Sequence, residues 1–87
     1  MTKGVTQSGF AFEIDEGIAD DWDAIKLLND ITEGKLGAMF EFGQLLLGDE
    51  QLNALKEHVR GDGKRVSMQT MSAEMMEIFT SLANAKN

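Results

Sequence analysis

"IDEGIADDWDAIKLL", residues 14–28, carries five acidic side chains against a single lysine. A metal loop, a solvated acidic tail and the front end of a helix all produce such a run. A calcium loop of the helix-loop-helix type needs oxygen ligands at alternate positions, glycine at the sixth and glutamate at the twelfth. Started at Asp15, the sixth position is Asp20 and the twelfth Lys26; started at Asp20 or Asp21, the sixth is Ile25 or Lys26. No register fits. A helix N-terminus accounts for the same acids without a metal, because side-chain oxygens cap its free N–H groups and carboxylates in its first turn oppose its dipole. Asp20 or Asp21 is the expected N-cap, and the stretch reads as a switch from strand to helix.

Upstream of the switch, Phe10, Phe12 and Ile14 alternate with small or polar residues, the period of a strand with one buried face. One short strand does not stand alone. It must pair with residues 3–7 as a hairpin, pack on helices, or pair with another copy of the chain, so Phe10, Phe12 and Ile14 are candidates for self-association. Residues 1–9, small and polar, read as loose. Downstream, Trp22, Ile25 and Leu28, with Leu27 and Ile31, recur at helical spacing opposite Asp23, Lys26 and Asp30. Trp22 is expected to be buried against Phe40, Phe42 or Leu46. Gly34 is the expected stop.

A second helix is expected from Gly37 to Leu47, with Met39, Phe40, Phe42, Leu46 and Leu47 on one broad side; Gly43 within it suggests close helix packing. Gly48 breaks it and Asp49 is expected to cap a third helix bearing a Leu52, Leu55, Val59 seam. Gly61-Asp62-Gly63 reads as an exposed turn. Ser67 precedes a last stripe, Met68, Met71, Met75, Ile78 and Leu82, in steps of three and four. Ser72 and Glu74 allow a restart there, giving a short helix and then a long one. Residues 84–87 are expected to fray. The expected fold is one mainly α domain spanning 1–87, a small bundle of about four short helices after one N-terminal strand or hairpin.

Composition narrows the function. The chain has 87 residues, no cysteine and a net charge of −7. Absence of cysteine removes disulfides, thiolate metal sites and cysteine nucleophiles. Residues 1–50 hold eleven acids against three lysines, whereas residues 51–87 hold four acids against five bases. That balance has the wrong sign for neutralising nucleic-acid phosphates. Lys56, Arg60, Lys64 and Arg65 read as a solvated helix end and loop. No apolar leader or membrane span is legible, so no membrane partner is expected. His58 is the only histidine and has no spaced partner. Ser67, Ser72 and Ser81 read as caps and helix surface, and no glycine-rich phosphate loop is present. No catalytic residue, cofactor or metal is expected. Methionine is the informative residue, with Met68, Met71, Met75 and Met76 inside nine positions. Methionine adapts its shape and recurs on surfaces that accept varied partners. Met68, Met71, Met75, Met76, Phe79 and Leu82 are therefore the candidate partner-binding residues, with plain core as the competing reading.

The order of these parts resembles the small tail assembly chaperones of long-tailed bacteriophages. The likeness rests on Asp21-Trp22 before a Leu-rich helix, Leu46-Leu47-Gly48-Asp49-Glu50-Gln51 opening another, the charged turn Arg60 to Arg65, and the helix from Ser72 onward. It covers roughly residues 10–82, with Val66-Ser67-Met68 standing where a proline is frequent. The resemblance implies a non-enzymatic protein of the host-cell cytoplasm. Its client would be the long helical tape measure protein, kept soluble until the tail tube polymerises, and a longer form made by ribosomal frameshifting would accompany it. A row of self-associated copies is compatible with that role. The runner-up is an acidic helical regulator, an antirepressor or DNA mimic, that covers a basic protein surface with the Glu13–Asp23 cluster. A tail-completion or virion component is the third reading.

Overall fold

A computed structural model describes residues 1–85. The chain begins with an antiparallel hairpin, β1 (Thr2–Val5) and β2 (Ala11–Ile14), in the register Thr2 to Ile14 and Val5 to Ala11. Residues 1–9 are thus not a loose end; they supply the partner strand that the 10–14 alternation requires. The hairpin loop is built on a turn closed by Gly9 N–H donating to the Thr6 carbonyl at 2.9 Å, with Gly9 at φ 95°. A three-residue loop ending in a left-handed glycine is a common hairpin solution. Phe10, Phe12 and Ile14 all point into the core. The Phe12 ring lies across β1, where a Cβ on Gly4 would come within 2.6 Å of it.

A 3-10 turn over Glu16–Asp20 follows, capped by Asp15, whose carboxylate accepts from Gly17 N–H at 2.9 Å. Helix α1 (Trp22–Thr32) is capped by Asp21, which accepts from Ala24 N–H at 2.9 Å. The acidic run therefore divides into two caps, Asp15 and Asp21, with Asp23 in the first turn of α1. At its end Gly34 N–H donates to the Ile31 carbonyl and Lys35 N–H to the Asp30 carbonyl, both at 3.0 Å, with Gly34 at φ 87°. That paired closure satisfies the orphan carbonyls of the last turn.

Helix α2 runs from Gly37 to Arg60 but leaves helical geometry at Gly48, where φ is 77° and ψ 172°. The break expected at Gly48 is real, yet the two segments join as one bent element, so the bundle has three helices rather than about four. Asp49 spends its carboxylate on the Gln44 amide instead of a backbone cap. Ala38, Met39, Phe42, Gly43, Leu46 and Leu47 form the buried stripe of the first segment, and Leu55 anchors the second. Gly61, at φ 54°, ends α2 with its N–H on the Glu57 carbonyl.

Helix α3 (Met68–Ala85) is capped by Ser67, whose hydroxyl accepts from Thr70 N–H at 3.1 Å. It runs through Ser72 without interruption, so there is no restart; Asn84 and Ala85 belong to it, and residues 86–87 lie outside the described part. Phe42 and Phe79 meet edge-to-face at 5.7 Å, joining α2 to α3. A Cβ at Gly43 would sit 3.0 Å from Met75 Sδ and 3.2 Å from Leu52 Cδ1. Gly43 is therefore the point of close approach between these elements.

Trp22 and Phe40 break the expected pattern. Trp22 is 83 % exposed and Phe40 66 % exposed. Ala24 is fully buried, with Leu27, Leu28 and Ile31 packed partly against the core. At about 100° per residue, Trp22 stands nearly opposite Ala24. Small Ala24, not large Trp22, sets how α1 is rotated, because it lets the helix approach α2.

Candidate functional site

Two assemblies of side chains stand out. The first is a partly enclosed apolar groove of about 340 Å³ between α2 and the start of α3. Met39, Phe40 and Leu52 line it from α2, and Met68, Met71 and Met75 from α3. Val66, from the connecting loop, also lines it, and Gln44 and Lys56 are its polar members. Four of the six methionines thus converge on one concavity. Met75 and Met71 form its buried floor, while Met68 and Phe40 are exposed at its edge. A shallow apolar surface continues from Phe40 to Leu45. The thioethers are flexible and polarisable, so the floor can reshape around different side chains.

The second assembly ties the hairpin to the helices. Thr6 and Glu74 are buried, and the Thr6 hydroxyl donates to Glu74 Oε1 at 2.8 Å. The Ser8 hydroxyl lies 3.0 Å from the same oxygen and 2.9 Å from His58 Nε2. The His58 ring packs against Phe10 at 5.6 Å. A serine beside an imidazole and a carboxylate invites comparison with a nucleophilic triad, but the wiring differs. In a triad the carboxylate holds the far nitrogen of the imidazole; here Glu74 takes the two hydroxyls. The cluster satisfies one buried carboxylate and fixes where the hairpin loop docks.

β2 is pinned by a second device. Gln51 presents its carbonyl oxygen to Glu13 N–H and its amide to the Glu13 carbonyl, both at 2.8 Å. A side-chain amide thus mimics a neighbouring strand and covers the outer edge of β2 at that residue. Phe10, Phe12 and Ile14, expected to serve self-association, are buried inside their own chain. Their side chains belong to the core of their own chain.

The six expected partner residues separate. Met68, Met71 and Met75 share the groove. Phe79 and Leu82 are buried in the central core. Met76 is half-exposed on another face, with Ala73, Glu77 and Thr80. Successive helical residues are about 100° apart, and on α3 that step carries Met76 out of the groove that Met75 floors. Phe40 and Leu52 belong to the groove, although their spacing alone points to plain core and seam. Phe40 lies only about 20° around the helix from buried Leu47, so spacing alone does not mark it out.

Among the described residues, no three carboxylate or imidazole groups are gathered so as to hold a metal ion. No helix among them is long and apolar enough to cross a membrane. The acidity of the Glu16 carboxyl is displaced. The Thr2 hydroxyl first, then a backbone N–H and the chain's amino terminus, hold it below the usual carboxylate range. Comparison with protein families, curated proteins and solved structures finds no match for the chain.

Proposed function

We propose that this chain is a non-enzymatic tail assembly chaperone of a long-tailed bacteriophage, acting in the host cytoplasm on the tape measure protein. One observation carries the reading: the methionine-floored groove between α2 and α3, open to solvent in an otherwise acidic molecule. A long helical client presents apolar side chains in many local arrangements. A mobile thioether floor accommodates them without a fixed lock, and the net charge of −7 keeps the loaded complex in solution. The resemblance of the sequence to that family supplies the identity of the client.

Co-expression with the tape measure protein tests this. Met68→Glu, at a position 39 % exposed on the groove edge, should leave the fold intact and reduce co-purification of the client. Met76→Glu, on the other face, should leave it unchanged. If Asp20→Lys and Asp23→Lys abolish client binding while Met68→Glu does nothing, the acidic regulator is the better reading.

A further inference from the structure

The molecule carries an unsatisfied knob as well as an unsatisfied groove. Trp22 and Ile25 lie one helical turn apart on the outer side of α1, both exposed. None of the residues that line the groove belongs to α1. Tryptophan is a large, rigid side chain and the commonest anchor of protein interfaces, where it inserts into a pocket. A cavity of about 340 Å³ lies at the small end of binding pockets. It suits one or two large side chains rather than a folded domain.

Charge makes the same pairing. The cations of the first half of the chain, Lys3, Lys26 and Lys35, are engaged with carboxylates, and Arg60 pairs with Glu57. Lys56, Lys64 and Arg65 take part in no ion pair among the described residues. Lys56 lines the groove, and Lys64 and Arg65 immediately precede Val66, another lining residue. Asp20 and Asp23 flank Trp22, are exposed, and likewise lack ion-pair partners among the described residues. An apolar knob set in carboxylates thus has its counterpart in an apolar groove with one free cation in its lining and two more on the loop that adjoins it, in a chain whose overall charge would otherwise keep copies apart. Glu41 lies on the neighbouring shallow face and not in the groove.

We propose that the groove receives Trp22 and Ile25 of a second copy of this chain. Asp20 and Asp23 of that copy then sit against Lys56, Lys64 and Arg65. Knob and groove are different surfaces, so the contact is head-to-tail, and each added copy presents a fresh groove at one end and a fresh knob at the other. This holds whether or not the client is a tape measure protein. If it is, client and neighbour compete for one site, and a capped row is the resting form that a client opens.

Sedimentation velocity over a concentration series, without any client, is the test. Wild type should form a ladder of species and lose it as salt rises from about 0.05 to 0.5 M, because screening weakens the exposed ion pairs. Emission of the single tryptophan should be water-like when dilute and shift blue as the ladder forms. Trp22→Ala and Met68→Glu each alter an exposed side chain, and each should weaken self-association about 30-fold or more, the usual loss at an anchor. The decisive arm mixes the two variants. Trp22→Ala keeps an intact groove and Met68→Glu keeps an intact knob, so together they should form a dimer that grows no further. A monomeric wild type at about millimolar concentration, self-association that survives Trp22→Ala, or a mixture that stays monomeric would each overturn the proposal. Client capture by a Trp22→Ala variant separates this result from the chaperone reading.

Discussion

The bend at Gly48 decides whether residues 37–60 form one straight rod or two segments that can face different neighbours, and one substitution gives opposite signs for the two. Gly48 has φ 77° and ψ 172°, with nothing within 4 Å of a Cβ built there. Space is therefore not the issue, and any effect of Gly48→Ala comes from the backbone. This region of conformational space is nearly closed to residues with a Cβ, at a cost of about 1–3 kcal/mol. In a straight helix the same change would stabilise by about 1 kcal/mol through helix propensity. Urea denaturation should give a lower midpoint with an unchanged slope, and the thermal midpoint should fall by about 5–20 °C for a domain of this size. Gly37→Ala is the control. Its φ is not positive and its surroundings are open, so that change should be neutral or mildly stabilising. A higher midpoint for Gly48→Ala would mean that α2 runs straight, and the α2 side of the groove would then need a different arrangement of Met39, Leu52 and Lys56.

Three further outcomes follow from the local geometry. Asp21→Ala should cost about 1 kcal/mol as the loss of a cap, while Asp20→Ala should be nearly neutral and calcium should leave both thermal midpoints unmoved; a saturable calcium-dependent rise would restore the metal-loop reading. Thr6→Val should cost about 1–3 kcal/mol by chemical denaturation, since it leaves buried Glu74 short of a donor, and an unchanged midpoint would show that the cluster does not pin the hairpin. Glu16 has a folded-state pKa below its unfolded value, so its stabilising effect is complete above the unfolded pKa and is lost as pH falls through the folded one. The stability difference between wild type and Glu16→Gln should therefore be present at pH 7 and close on acidification; a difference that persists at the lowest pH would assign it to the hydrogen bond alone.

Much of this architecture is legible in one dimension, because it depends on local chemistry. The 10, 12, 14 alternation demands a partner strand, Asp21 and Ser67 cap, and Gly34 and Gly61 stop helices. Gly48 interrupts one. Each follows from a single residue's backbone preference or a spacing of two, three or four. The rotation of a helix about its own axis is harder to read. On α1 the large residues Trp22 and Ile25 outweigh Ala24 in any hydrophobic count, yet close approach between helices selects the smallest residue. On α2 the same principle hides Gly43 in the buried stripe and leaves Phe40 outside it. The Thr6, Ser8, His58, Glu74 cluster was not legible at all. Its members are up to 68 positions apart, and nothing local requires that they meet.

Those rotations decide which apolar side chains stay at the surface. Once Ala24 is pressed to α2, Trp22 lies about 160° away around α1 and cannot reach the core without turning the helix. Turning it would expose Leu27, Leu28 and Ile31, burying one indole at the expense of three aliphatic side chains. At about 25 cal/mol per Å² of apolar surface, the aliphatic face outweighs the indole. The groove is held open by the same logic. The Gly43 contact with Met75 and Leu52 draws α2 and α3 together at one level, and the bend at Gly48 redirects the second segment of α2. Phe40 and Met68 are left exposed at the groove edge. Neither surface can close on the other within one molecule while these contacts stand. Trp22, Ile25, Phe40 and Met68 thus stay exposed because the contacts that set the helix rotations leave them no place in the core of their own chain.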